Sequence, residues 1–129
     1  MAKIVYGVLQ KPLVERIVDA ACIYWSVEQS FFKEKRHDEE STNRRHILFY
    51  LLKQDAGMGY RAISGMFGFS KSSITEGIEL MDFRRGNSRP ISEHMRHIRT
   101  IAANLEAKIV VMDVKLEHFL SSEPPAREQ

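Results

Sequence analysis

Residues 60–81 constrain the fold more than any other stretch of the chain. They read Tyr60-Arg61-Ala62-Ile63-Ser64-Gly65-Met66-Phe67, then Gly68, then Phe69-Ser70-Lys71-Ser72-Ser73-Ile74 and on to Met81. Ser64 is a small residue where two helices would cross. Gly68 supplies a turn, Phe69 an apolar contact after it, and Ser70 a cap for a second helix. Ile74, Ile78 and Met81 recur at helical spacing on one face of that helix. Lys71, Ser72, Thr75 and Glu76 fall on its outer face. The pattern predicts a helix, a tight turn and a second helix. Its bland counterpart is a plain helical hairpin. Its functional counterpart is a helix-turn-helix, whose outer face hydrogen-bonds to phosphates and base edges in a major groove.

The rest of the chain reads as helices around this unit. Residues 1–11 form a short arm in which Ile4, Val5, Tyr6, Val8 and Leu9 are apolar. Pro12 suits the first position of a helix over 12–26, with Leu13, Ile17, Ala20, Ala21 and Tyr24 on its inner face. Ser26 is placed to cap a short second helix through Glu28, Phe31 and Phe32. The charged stretch from Lys33 to Asn43 predicts a loop, with Ser41 or Thr42 capping a third helix. Ile47, Tyr50, Leu51 and Gln54 mark that helix's faces, and residues 47–52 are apolar all round, as in a central buried helix. Gly57 and Gly59 end it. Residues 84–90 form a second polar loop, with Arg84, Arg85 and Arg89 either solvated or touching phosphate. From Ile91 to Phe119 apolar residues step by four and three in an unbroken heptad, a helix of about 45 Å at 1.5 Å per residue. Val110, Val111 and Val114 leave a strand open over 108–116. The expected architecture is an all-α helix-turn-helix bundle of about six helices with a long C-terminal helix. It divides into an arm (1–11), a domain (12–105), a helical extension (106–120) and a disordered tail (121–129).

With 129 residues, 43% of them hydrophobic and 28% charged, the composition is that of a globular domain able to bury a core unaided. A formal net charge of +2 permits a nucleic-acid partner without demanding one. One cysteine, Cys22, excludes an internal disulfide and fits a reducing compartment as a small core residue. No apolar run reaches the ~20 residues of a membrane span, and no signal-peptide core is present, so a cytoplasmic, nucleoid-associated location is expected. Residues 65–72 fall short of a phosphate-binding loop, because Ser70 stands where that loop needs glycine before the lysine. His94 and His97, with Glu93 beside them, lack further metal ligands and read as solvated histidines. The aromatics Tyr24, Trp25, Phe31, Phe32, Phe49, Tyr50 and Phe67 read as core. No nucleophilic trio has local support. The expectation is no enzymatic activity, no cofactor and no metal.

From about Val14 to Leu105 the chain resembles the C-terminal DNA-binding domain of the bacterial replication initiator DnaA, of the Trp-repressor-like helix-turn-helix superfamily. The resemblance rests on the order of parts. Trp25-Ser26-Val27-Glu28 stands at the family's short second helix, Lys35-Arg36-His37 at its basic loop, and Arg45 near the start of the third helix. Lys53 lies near that helix's end, and Ile63 to Gly68 lead into the recognition helix. Ser70-Lys71-Ser72-Ser73-Ile74 takes the place of the family's Asp-His-Thr-Thr-Val run, after a turn shorter by one residue. His37 replaces an arginine, and Asp38-Glu39-Glu40 adds three acids where the family is basic or neutral. The resemblance implies docking of the second helix in the major groove and of the basic loop in the minor groove. It puts Lys71, Ser72 and Ser73 on base-reading positions, and Arg36, His37 and Arg45 on loop and backbone positions. With Lys35, Arg61, Ser70 and Thr75 these complete the candidate DNA-contacting set. The implied function is regulation of replication or transcription on double-stranded DNA, without the family's ATPase region. The alternative is a related interaction protein, docking on replication proteins with weak or no DNA binding. The heptad surplus beyond Leu105 suits either the arm or the same helix of a second chain, the latter making a homodimer.

Overall fold

A computed structural model describes the backbone of residues 12–121 and the side chains of residues 12–105. Among the described residues it is all helical. Helix α1 spans Leu13–Trp25, α2 Glu39–Ala56, α3 Tyr60–Phe67, α4 Lys71–Arg84 and α5 Arg89–Ser121, with a 3-10 helix at Gln29–Lys33 between α1 and α2. The arm, the tail from 122 onward, and every side chain that would test the homodimer lie outside the described residues.

Helix α2 is the hub. It packs against α1, α3, α4 and α5. Residues Ile47 to Leu52 are therefore buried without interruption, as their all-round apolar character requires. Gln54, expected to mark a face, is exposed. Helix α1 lies along α5, burying Ile17, Val18, Ala20 and Ala21. Phe32 closes the core from the 3-10 helix, while Trp25 and Phe31 are only partly covered. Ile91, Met95, Ile98 and Ala102 bury the first turns of α5 in register with the heptad. The helix stays continuous through Ser121, so no strand forms over 108–116. Its 33 residues span about 50 Å.

Three local expectations are corrected. Ser26 caps no second helix. It sits in the left-handed region at φ 56° and ends α1, where the Val27 N–H donates to the Cys22 carbonyl at 3.0 Å. The loop expected from Lys33 to Asn43 stops at Asp38. The Asp38 carboxylate accepts the Ser41 N–H at 2.9 Å, and Glu39 and Glu40 occupy the first turn. Acids there complement the positive end of the helix dipole. Ser41 and Thr42 lie inside α2 rather than capping it. The second polar loop shrinks to residues 85–88, since α4 runs through Arg84 and α5 starts at Arg89.

Candidate nucleic-acid interface

The α3–turn–α4 unit forms as its residue types dictate. Gly68 ends α3 at φ 78°, a conformation glycine adopts without a Cβ penalty, and its N–H donates to the Ser64 carbonyl at 2.9 Å. The Ser64 hydroxyl donates to the Phe69 carbonyl at 2.5 Å, tying the two sides of the turn together. Ser70 caps α4: its Oγ accepts the Ser73 N–H at 3.1 Å and its proton goes to the Ser73 hydroxyl at 3.0 Å. Ile74, Ile78 and Met81 are buried beneath. Lys71 and Ser72 are exposed at the helix's first turn, and no hydrogen bond or ion pair holds either side chain among the described residues.

The basic loop docks on this turn. The Lys35 ammonium donates to the Gly68 carbonyl and lies 4.0 Å from the centre of the Phe69 ring. Phe69 in turn leans on Phe49, with ring centres 6.0 Å apart. The loop and the start of α4 therefore share one surface. Arg36 is exposed and pairs with Glu34 at 2.6 Å, its guanidinium 5.7 Å from the Phe31 ring. His37 and Arg61 are exposed.

Two members of the expected set are withdrawn from solvent, Arg45 almost wholly and Thr75 in part. Arg45 is only 6% exposed. Its guanidinium lies 4.8 Å from the Phe69 ring and donates, at 3.4 Å each, to the Glu34 carbonyl and the Thr42 hydroxyl. Burial lowers its pKa, opposed by the nearby Asp38 charge. Arg45 is thus an internal strut that holds the loop against the turn. Thr75 is half-buried and its hydroxyl donates to the Lys71 carbonyl at 2.8 Å, spending its proton within the helix. Of the base-reading candidates, Lys71 and Ser72 face outward freely, and Ser73 is shared with the cap.

The three acids sit at the start of α2. Asp38's pKa is lowered, first by the hydrogen bond from the Ser41 backbone, because the carboxylate serves as the α2 cap. Glu40 pairs with Arg44 at 2.6 Å. Glu39 and Glu40 both line a neighbouring groove in which Lys35 takes no part.

Other side chains fall into place that sequence reading left apart. His46 of α2 lies flat against Gly77 of α4, where an added Cβ would stand 2.7 Å from its Nε2. Its Nδ1 is buried without a partner among the described residues. Burial, then the charges of Arg45 and Arg84, push its pKa down to about 4. The signal was in the sequence: a glycine inside a helix costs about 1 kcal/mol against alanine and asks for a packing reason. His94 and His97 are not simply solvated. They clasp Tyr24, whose hydroxyl meets His94 Nδ1 at 2.8 Å while its ring stacks on His97 at 5.6 Å. Arg84 donates to the Asn43 side chain at 3.2 Å and Arg85 to Asp82 at 3.0 Å, so neither is a plain solvated loop residue. Cys22 is a free thiol, partly buried, its pKa raised by burial and by Asp19. Among the described residues no group of three or more His, Cys, Asp or Glu gathers as metal ligands. Nor is any described helix long and apolar enough to cross a membrane.

No protein-family model matches the chain, and no curated protein or solved structure does either. The resemblance to the initiator's DNA-binding domain therefore rests on the order of motifs alone. What the structure adds independently is the all-α fold and the seating of the basic loop on the turn before α4.

Proposed function

We propose that the protein is a DNA-binding regulator of replication or transcription that reads duplex DNA with the start of α4. The observation that carries this reading is the placement of Lys35 on the Gly68 carbonyl, which ties the basic loop to the turn that leads into the exposed Lys71 and Ser72. A helix N-terminus and a basic loop on one surface supply the two contacts such a reader needs. The helix start offers N–H groups and short polar side chains to base edges and phosphates. Lys35, Arg36 and Lys71 supply the positive charge that displaces counterions. Arg61, exposed on α3, adds a phosphate contact on the flank. Cytoplasmic residence and pairing of two chains through residues 106–120 belong to the same proposal, the second chain doubling the length of DNA read.

Selection from a pool of random duplexes, followed by fluorescence anisotropy at 50 and 200 mM salt, tests it. We expect one enriched sequence and an affinity that falls on the order of 100-fold across that salt range, as about four phosphate contacts require. An affinity too weak to measure at physiological salt, with no enriched sequence, would overturn DNA reading in favour of an interaction protein.

A further inference from the structure

A groove of about 740 Å³ opens at the far end of α4, between α1, the start of α2 and the start of α5. Its wall carries Tyr24 and Trp25 from the end of α1, and its floor Ile47 and Ile91, both buried. Phe83 stands at its edge, 66% exposed, the most exposed large apolar side chain among the described residues. Leu80, one turn earlier, is exposed on the same helix. An aromatic ring left in water at the rim of an aromatic-walled groove forgoes the burial that such a side chain usually supplies.

The charges in the groove are unevenly compensated. Arg44 pairs with Glu40 at 2.6 Å. Arg84 is held by the neutral amide of Asn43 at 3.2 Å, and no carboxylate pairs with it among the described residues. The start of α5, at Ser88, Pro90 and Ile91, also lines the groove and turns the positive end of a long helix dipole toward it. An uncompensated guanidinium and a helix N-terminus together favour a carboxylate, and the apolar floor beside them favours an aromatic or large aliphatic side chain. Glu39 lies in the same lining and repels any anion beside it, which sets the acid of a bound segment at Arg84 and puts a polyanionic backbone at a disadvantage.

We infer that this groove binds a segment of a partner protein in which an aromatic or large apolar side chain sits beside Asp or Glu. The carboxylate pairs with Arg84 and the apolar side chain lies against Phe83, Trp25 and Ile47. This inference does not rest on DNA reading, because the groove lies at the opposite end of α4 from Lys71.

The test is a phage-displayed library of random peptides selected against the full chain, with the enriched peptides then titrated by anisotropy. We expect enriched sequences that place Phe, Trp or Leu beside an acid. Phe83→Ser and Arg84→Gln should each weaken them by about 10-fold or more, and duplex DNA should not displace them. Phe83 is exposed, so Phe83→Ser keeps the core intact even if Arg84→Gln, which loses Asn43, lowers stability. Enrichment of basic peptides, no common pattern, or affinity unchanged in Phe83→Ser would overturn the assignment. Displacement by DNA would return the groove to the nucleic-acid surface. A dimer in light scattering that Phe83→Ser converts to monomer would give the groove to a second copy of this chain, and either result would overturn the partner-segment reading.

Discussion

The two ends of α4 present opposite chemistry on one rigid rod. The N-terminal end shows a serine cap, an exposed lysine and serine, and a basic loop seated on the preceding turn. The C-terminal end shows Leu80 and Phe83 to solvent and an arginine that, among the described residues, only an amide holds. Between them the helix is pinned by Ile74, Gly77, Ile78 and Met81 against the core. A 14-residue helix is about 21 Å long, so the two ends are too far apart to serve one small ligand. The difference argues for two separate surfaces, each open to its own substitution.

Lys71→Ala gives the largest expected effect. If Lys71 reads a base, affinity for the selected duplex drops by about 1–3 kcal/mol, roughly 5- to 150-fold, while thermal stability is unchanged because the side chain is exposed. Phe83→Ser leaves that affinity alone. Should Phe83→Ser weaken DNA binding as much as Lys71→Ala, the two ends are one surface and the comparison fails.

The pinned middle of α4 comes next. Gly77→Ala gains about 1 kcal/mol of helix propensity but drives a methyl group into the His46 ring. Overpacking of a close contact costs about 1–3 kcal/mol, so a net loss of up to about 2 kcal/mol is expected in urea unfolding. Combined with His46→Ala, which opens space, the alanine should cost less than it does alone. Additive losses would show that the ring does not press on α4.

His46 also sets a pH dependence. Its folded pKa of about 4 lies below the ordinary histidine value near 6.5, so the unfolded chain binds the proton first. Stability is full above pH 6.5, falls as pH drops through the window from 6.5 to about 4, and is level for this group below that. With the ring partly screened by solvent, the loss is about 1–2 kcal/mol. Asp38, its carboxylate held low by its cap bond, adds a further loss in the same direction as pH falls through the carboxylate range. Urea midpoints at pH 7 and 4.5 for the native chain and His46→Leu check it. A slope that persists undiminished in His46→Leu would place the titration elsewhere.

What the sequence made legible was local. Gly68 and Ser70 announce a turn and a cap by their own chemistry, and Ile74, Ile78 and Met81 announce an inner face by spacing. The first cap of α2 was hidden because Asp38 stands in a run of charges ahead of two hydroxyls, Ser41 and Thr42, which looked equally suited. The resemblance puts Arg45 on a DNA-backbone position, whereas the structure buries its side chain. Only the fold reveals that this guanidinium is buried on Phe69. The contact of His46 with Gly77 and the clasp of Tyr24 by two histidines join residues far apart in the chain. No periodicity encodes such pairs. The groove is hidden for the same reason, being assembled from α1, α2, α4 and the start of α5.

Ser70 allows the smallest effect to separate folding from recognition at the N-terminal end. Ser70→Ala removes the acceptor for the Ser73 N–H and should cost about 1 kcal/mol, a shift of several degrees in Tm. Ser70→Asp keeps an acceptor at the same place and adds a negative charge that the helix dipole favours, so stability should return to the native value. The same charge stands beside the phosphate that the start of α4 would approach, so affinity for DNA should fall although the fold is sound. The two variants thus move stability and binding in different combinations. Ser70→Ala lowers Tm, with affinity recovered once the helix is folded at low temperature. Ser70→Asp restores Tm and lowers affinity, most visibly at low salt, where the added charge is least screened. An aspartate that leaves duplex affinity untouched at low salt would mean that the start of α4 does not face phosphate. Recognition would then have to move to the loop 35–37 or leave this surface altogether.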